Sequence, residues 1–255
     1  MVMKVSPLLH LLRLTSRMSS FSASAAPLAN PKHVLVPIAN GSESLETVGI
    51  TNLLSRFGAQ VTVASVHLTD VAPLTDPLVV RLTRGTTVLA DAVLPDVSSN
   101  RFDMIILPGG LAGCETFASS EALKLLLSEH RSRRCWLGAI CAAPALVLAP
   151  LGHLSGSPLA SCYPSPPLVA SLLAGGVDKY LDPWSSSPSS SSSSTPVPSD
   201  TFDGVHVDFD RLIVTAPGAG RTVSFALKCG EMLFGEQKAR DVAREIVAKF
   251  PEKGT

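Results

Sequence analysis

One thiol, Cys141, sits inside the apolar run GAICAAP at residues 138–144. In such a setting a cysteine is either a small hydrophobe filling a core or a nucleophile exposed where a strand ends. Residues 135–140 read as a buried strand and 142–149 as a helix, so Cys141 falls on the junction between them. A sharp strand-to-helix turn, a nucleophile elbow, can lift a side chain above a sheet, and tight turns need small neighbours. Gly138, Ala139, Ala142 and Ala143 supply these. A thiol at a helix start also meets the positive end of the helix dipole, which favours the thiolate.

Two further groups could act with it. Glu46 falls in the first turn of the helix after the first strand. A carboxylate there is stabilised by about 0.3–1 kcal/mol through the helix dipole, whatever else it does. Glu43, just upstream, can fill that structural role equally well. A chemical role requires Glu46 to point across the sheet end at Cys141, where it could accept a thiol hydrogen bond or move protons. The third group is Leu107-Pro108-Gly109-Gly110. Two glycines after a strand leave bare N–H groups facing a ligand, and the N–H groups of Gly110 and Ala142 could form an oxyanion pocket. The alternative is an ordinary turn.

The elements that must position these residues follow from periodicity. Residues 33–38 read as a strand. A helix follows, with Leu45, Val48, Leu53, Leu54 and Phe57 on one side and Gly58 as its C-cap, and 61–66 is the next strand. This is a parallel β-α-β unit. Residues 67–96 read as a small β excursion, 104–107 as a strand, 121–130 as a helix and 159–162 as a short strand. A helix around 167–174 follows, then a hairpin of 205–209 and 211–214 around Asp210, and helices at 221–234 and 237–250. Strands alternating with helices imply a mostly parallel sheet covered on both faces, with ligands at the carboxyl ends of its strands.

Composition narrows the classes. The 255 residues carry 21 Lys+Arg and 21 Asp+Glu, so the balanced charge lacks the electrostatic footprint that nucleic-acid binding uses. Five cysteines without a CxxC or His/Cys metal spacing suggest free thiols in a reducing compartment. Residues 136–152 are uncharged, but Pro144 and Pro150 interrupt them, which argues against a membrane span. Residues 1–32 contain Lys4, Arg13, Arg17 and Lys32, many Ser and Ala and no acid, the composition of a mitochondrial transit peptide or of a tail with no address. Met18 is an alternative start that would remove most of that signal. Residues 33–250 form the expected domain. A Ser/Pro-rich insertion at 184–200, with six serines in a row at 189–194, is expected to be disordered.

Taken together, GSESLETV (41–48), LPGG (107–110), GAICAAP (138–144) and PGAG (217–220) resemble the ThiJ/PfpI superfamily. The resemblance is to the branch of the parkinsonism-associated protein deglycase and the glutathione-independent glyoxalases, over about residues 33 to 248. It implies a flavodoxin-like three-layer α/β sandwich, usually homodimeric. It implies a nucleophilic Cys141, a partner carboxylate at Glu46, an oxyanion site using Gly110 and Ala142 beside Gly109, and an arginine near the site and dimer interface at Arg84. The implied activity needs no metal or organic cofactor. Methylglyoxal-type α-oxoaldehydes become 2-hydroxy acids, D-lactate from methylglyoxal, through a cysteine hemithioacetal, and protein deglycation would use the same groups. The competing reading is an oxidative-stress sensor or chaperone-like protein working by oxidation of Cys141. The chain departs from the pattern where relatives place a histidine near the cysteine: here Tyr163 stands in Ser161-Cys162-Tyr163-Pro164. A phenol donates hydrogen bonds but is a poor base near neutral pH, which throws more weight on Glu46. Cys162 is either a second thiol able to resolve an oxidised Cys141 or a buried strand-end residue. Ala142 stands where the protease branch has histidine, which argues against a Cys-His peptidase.

Overall fold

The three strands β1 (His33–Ile38), β6 (Met104–Leu107) and β7 (Trp136–Ile140) lie side by side and end at one edge of the molecule. Their parallel register pairs Val34 with Met104 and Leu107 with Ala139, so the chain leaves all three at the same end of the sheet. That end holds the helix start carrying Glu46 and the loops carrying Gly109 and Cys141. The structure is a computed structural model and describes residues 31–68, 76–184 and 201–250, which fall in one compact unit.

In chain order the other elements are α1 (Ser44–Phe57), β2 (Gln60–Ser65), β3 (Val79–Arg81), β4 (Thr87–Leu89), β5 (Ala92–Val93), α2 (Leu94–Val97), α3 (Leu111–Ser119) and α4 (Glu121–Ser132). After β7 come α5 (Pro166–Ala174), β8 (Thr201–Phe202), β9 (Val205–Asp208), β10 (Ile213–Ala216), α6 (Thr222–Phe234) and α7 (Glu236–Glu245). The main sheet has the order β5-β2-β1-β6-β7-β10-β9-β8. It is parallel from β5 to β10 and antiparallel beyond, while β3 and β4 make a separate antiparallel hairpin.

Alternation along the strands divides the core. Val34, Val36, Ile38, Met104 and Ile106 face one layer with α1, α6 and α7. Leu35, Ile105, Leu107, Leu137 and Ala139 face the other, with α3, α4 and α5. This is the three-layer, mostly parallel α/β sandwich expected from the sequence. On the first face α1 and α6 approach closely: a Cβ at Gly230 would run into the Phe57 ring, and one at Gly49 would lie 2.6 Å from Thr222 Cγ2.

Several local expectations change. Gly58 does cap α1 in the left-handed conformation, with φ 92°. The buried side of α1, however, is Glu46, Thr47, Ile50, Leu53, Leu54 and Phe57, while Leu45 and Val48 are 58% and 51% exposed. At 100° per residue positions 46, 50, 53 and 57 share a stripe, and the buried carboxylate at its head disguised it as a polar face. Helix α3 was not expected; Gly113 interrupts its apolar pattern, and its N-cap is Gly110 with no capping side chain. The stretch after Cys141 is a turn followed by a π-helical segment, Pro144–Leu148, because Pro144 has no N–H and Ala149 N–H bonds back to its carbonyl. Residues 159–162 contribute one bridge, Ala160 to Tyr180, rather than a strand. The last hairpin is wider than expected, its turn held by Arg211 N–H on Asp208 and by Leu212 at φ 56°, and α7 ends at Glu245. Among the described residues no helix is long and apolar enough to cross a membrane. The leader, apart from residues 31 and 32, and the insertion, apart from Trp184, lie outside the described residues.

Candidate active site

Cys141 is the first residue after β7 and takes φ 63°, a left-handed conformation that a non-glycine side chain adopts at a cost. Its backbone is held from two directions. Its N–H donates to Ala216 O at the end of β10 at 2.9 Å, and its carbonyl accepts from Tyr163 N–H at 2.8 Å. The strand below it is tightly packed; a Cβ on Gly138 would lie 3.1 Å from both Ile106 and Phe225. The result is the elbow the sequence suggested, with the side chain part-buried.

Glu46 reaches it from α1. Glu43 caps that helix, its carboxylate accepting the Glu46 N–H at 2.8 Å, and the Glu43 N–H donates to Gly109 O at 2.8 Å. The capping role therefore belongs to Glu43, and Glu46 is free to turn inward. Glu46 is fully buried, and its Oε2 accepts from Gly109 N–H at 2.6 Å. Among the described residues its Oε1 has no hydrogen-bond partner that meets ordinary geometry.

Gly109 is the floor between them. A Cβ there would lie 2.5 Å from Cys141 Cβ, 3.0 Å from its Sγ and 2.8 Å from Glu46 Oε2. Only glycine leaves room for the sulfur and the carboxyl to converge. Gly110 follows at φ 92°, pressed against the Gly41 carbonyl. The N–H groups of Gly110 and Ala142 both favour negative charge on the Cys141 sulfur, as an oxyanion pocket would.

The electrostatics correct one expectation. Burial, and then the Glu46 carboxylate, push the Cys141 thiol up to about 12, against the pull of the Gly110 and Ala142 N–H groups. The turn and π segment do not give the thiol a regular helix start. Desolvation and a neighbouring acid outweigh any dipole, so the resting sulfur holds its proton. Burial raises Glu46 to about 7, the charge of Glu43 adding to it and the Gly109 N–H opposing it. The two groups titrate as a coupled pair. When Glu46 takes a proton, the charge opposing the thiolate disappears.

Tyr163 stands at the rim. A Cβ on Gly218 would lie 3.5 Å from Tyr163 Cδ2 and 4.0 Å from Cys141 Sγ, so the ring and the sulfur flank one glycine. The site role of Gly218 was missed, although PGAG at 217–220 was the signal that could have found it. Arg84 is not brought in. It sits exposed at φ 58° in the turn between β3 and β4, and among the described residues it makes no hydrogen bond or ion pair. Its neighbour Thr83 does bind the start of α1, accepting from Ser44 N–H at 3.1 Å. Cys162 is fully buried in the opposite layer from Cys141, with burial raising it to about 12. Of its two expected readings, the structure matches the buried one. Among the described residues no group of three or more His, Cys, Asp or Glu side chains could hold a metal ion.

This sandwich with a cysteine elbow facing a buried glutamate defines a class of protein. Residues 32–232 match the DJ-1/PfpI family, and the chain belongs to it. It is 34% identical over 230 residues to Protein DJ-1 homolog B of Arabidopsis thaliana, covering 90% of this chain and 44% of that protein. The chain thus spans about half the length of the Arabidopsis relatives it matches. It is 29% identical to the glutathione-independent glyoxalase DJR-1.2 of Caenorhabditis elegans, over 80% of this chain and 90% of that protein. Among solved structures, oxidized Toxoplasma gondii DJ-1 superimposes with a TM-score of 0.67 at 31% identity, over 86% of this chain and all of that one.

Proposed function

We propose that the chain is a cofactor-free glyoxalase acting on small neutral α-oxoaldehydes. The observation that carries this reading is the convergence of Cys141 Sγ and Glu46 Oε2 over Gly109, with the Gly110 and Ala142 N–H groups beside the sulfur. The C. elegans relative, named as a glutathione-independent glyoxalase, supports it.

The thiol adds to the aldehyde carbon, its proton passing to Glu46, and the new oxyanion is held by the backbone N–H groups. Glu46 returns that proton to the oxyanion, making the hemithioacetal hydroxyl. Glu46 then removes the hydrogen from the carbon bonded to sulfur, the hydroxyl proton passes to the former ketone oxygen through the resulting enediolate, and Glu46 returns its proton to the former ketone carbon, leaving a thioester of a 2-hydroxy acid. Water cleaves the thioester, releasing the acid and restoring the thiol. The net change is addition of one water with internal transfer of oxidation level, so no external oxidant or reductant enters. A carboxyl of about pKa 7 suits both directions of proton transfer near neutral pH. Glu46 is the charged group that acts on the sulfur, which disfavours anionic substrates. Lactate formed from methylglyoxal without glutathione, and lost in Cys141→Ser and Glu46→Gln, tests the proposal; a wild-type chain without turnover sinks it. Deglycation would place a bulkier adduct over the same groups.

A second reading has its own support. The buried Glu46 carboxyl beside Cys141 could, once protonated, donate a hydrogen bond to an oxygen on an oxidised sulfur, and a related structure is of an oxidized protein. In that case selective peroxide oxidation of Cys141 accompanies negligible turnover. We further propose a homodimer through the exposed Leu45, Val48 and Leu89, which bring the Arg84 turn to the interface. The basic leader is proposed as a mitochondrial address, cytoplasmic residence being the alternative, and comparing the location of the full chain with one begun at Met18 tests it.

A further inference from the structure

We propose that the Tyr163 ring is a specificity-determining element that selects aromatic α-oxoaldehydes, phenylglyoxal being the simplest, over methylglyoxal; this rests on the glyoxalase reading of the site. Over Gly109 the sulfur meets the Glu46 carboxyl, a Cβ there lying 3.0 Å from Sγ and 2.8 Å from Glu46 Oε2. On another side stands Gly218, whose missing Cβ would be 4.0 Å from the sulfur and 3.5 Å from Tyr163 Cδ2. Because no side chain fills that position, the space beside the sulfur runs directly to the edge of an aromatic ring.

Tyr163 is anchored where its ring is useful. Its N–H donates to the Cys141 carbonyl at 2.8 Å, and its own carbonyl accepts from Ser165 N–H at 2.8 Å and from the Cys162 thiol at 3.5 Å. The residue nevertheless stays 50% exposed. A large aromatic side chain held by its backbone to the nucleophile, and left half in solvent, is a free face for a second ring. In the hemithioacetal the substrate's remaining group is carried on the second carbon from the sulfur. A phenyl group there reaches over Gly218 toward Tyr163, whereas a methyl group leaves the gap open. Offset or edge-to-face ring pairs contribute about two- to tenfold in binding.

The test compares kcat/KM for phenylglyoxal, read as mandelate, with that for methylglyoxal, read as lactate, on the full chain. The ratio is expected to exceed one. Tyr163→Ala is expected to lower it about three- to tenfold, mainly through KM for phenylglyoxal, and Tyr163→Phe to keep it within about twofold. Gly218 has φ 161°, an extended backbone any residue adopts, and a Cβ there meets only ordinary contacts, so Gly218→Ala narrows the gap and should also lower the ratio. An unchanged ratio in folded Tyr163→Ala overturns the proposal. If neither aldehyde is turned over, the glyoxalase reading fails, and binding decides the inference separately. The unreactive neutral analogues 2-hydroxyacetophenone and hydroxyacetone are then titrated by protein-observed NMR. Tighter binding of the aryl ketone that depends on Tyr163 upholds the aromatic selectivity; equal binding of the two overturns it.

Discussion

Glu43 and Glu46, three residues apart at the head of one helix, have opposite surroundings: the Glu43 carboxylate accepts the Glu46 N–H at 2.8 Å, and Glu46 is buried beside Cys141. One acid satisfies the helix end, which leaves the other available for chemistry. Its burial makes it a destabilising charge, and that has measurable consequences.

Replacing Glu46 by Gln should abolish turnover while stabilising the fold at alkaline pH. The folded carboxyl is raised from 4.5 to about 7. Below about pH 4.5 both folded and unfolded states hold the proton and no penalty arises. Between 4.5 and 7 the folded state binds the proton more tightly, so the wild type loses stability as pH rises. The gain for Glu46→Gln should be small at pH 5 and reach about 1–3 kcal/mol by pH 8. Urea unfolding of both proteins at the two pH values measures it; a gain independent of pH contradicts the buried-charge account.

Alkylation reports the same pair from the sulfur side. The Glu46 charge raises the Cys141 thiol, so its removal should lower the thiol pKa. Iodoacetamide labelling of Cys141 in Glu46→Gln at pH 8, followed by peptide mass spectrometry, should therefore be several-fold faster than in the wild type. Slower labelling would mean that Glu46 activates the resting thiol instead.

Gly109→Ala places a methyl group 2.5 Å from Cys141 Cβ and 2.8 Å from Glu46 Oε2. Overpacking of this kind costs about 1–3 kcal/mol, and it must part the sulfur from the carboxyl. A fall in kcat/KM of about a hundredfold or more is expected from a small displacement of reacting groups. Activity near wild type would show that the convergence is dispensable.

Leu45→Asp, with Leu45 58% exposed, should leave the fold intact and convert the proposed dimer to a monomer. Light scattering coupled to size exclusion measures it. A wild-type monomer would remove this face from consideration.

The strands at 33–38 and 104–107 were legible because short apolar runs bounded by turns leave few alternatives for buried parallel strands. The cysteine elbow was legible from its small neighbours. The pairing of Glu46 with Cys141 was visible only as an expectation, because it arises from lateral strand register between segments almost a hundred residues apart. The buried face of α1 was misread for a related reason: burying Glu46 reverses the usual sorting of polar and apolar residues. Gly218 contributes the absence of a side chain beside the sulfur, so its signal in the sequence is the PGAG string at 217–220 rather than any functional group. The π segment after Cys141 followed from Pro144, whose missing N–H a helical periodicity does not register.

The crossing of α1 and α6 works as a gauge block. Glu46 hangs from the first helix, and the Pro217-Gly218 loop runs into the second. The bare backbones at Gly49 and Gly230 set how near these helices stand, and so how wide the cleft is between acid and loop. The placing of Glu46 beside Cys141 is in this way calibrated partly at Phe57 and Gly230, at the far end of α1 from Glu46.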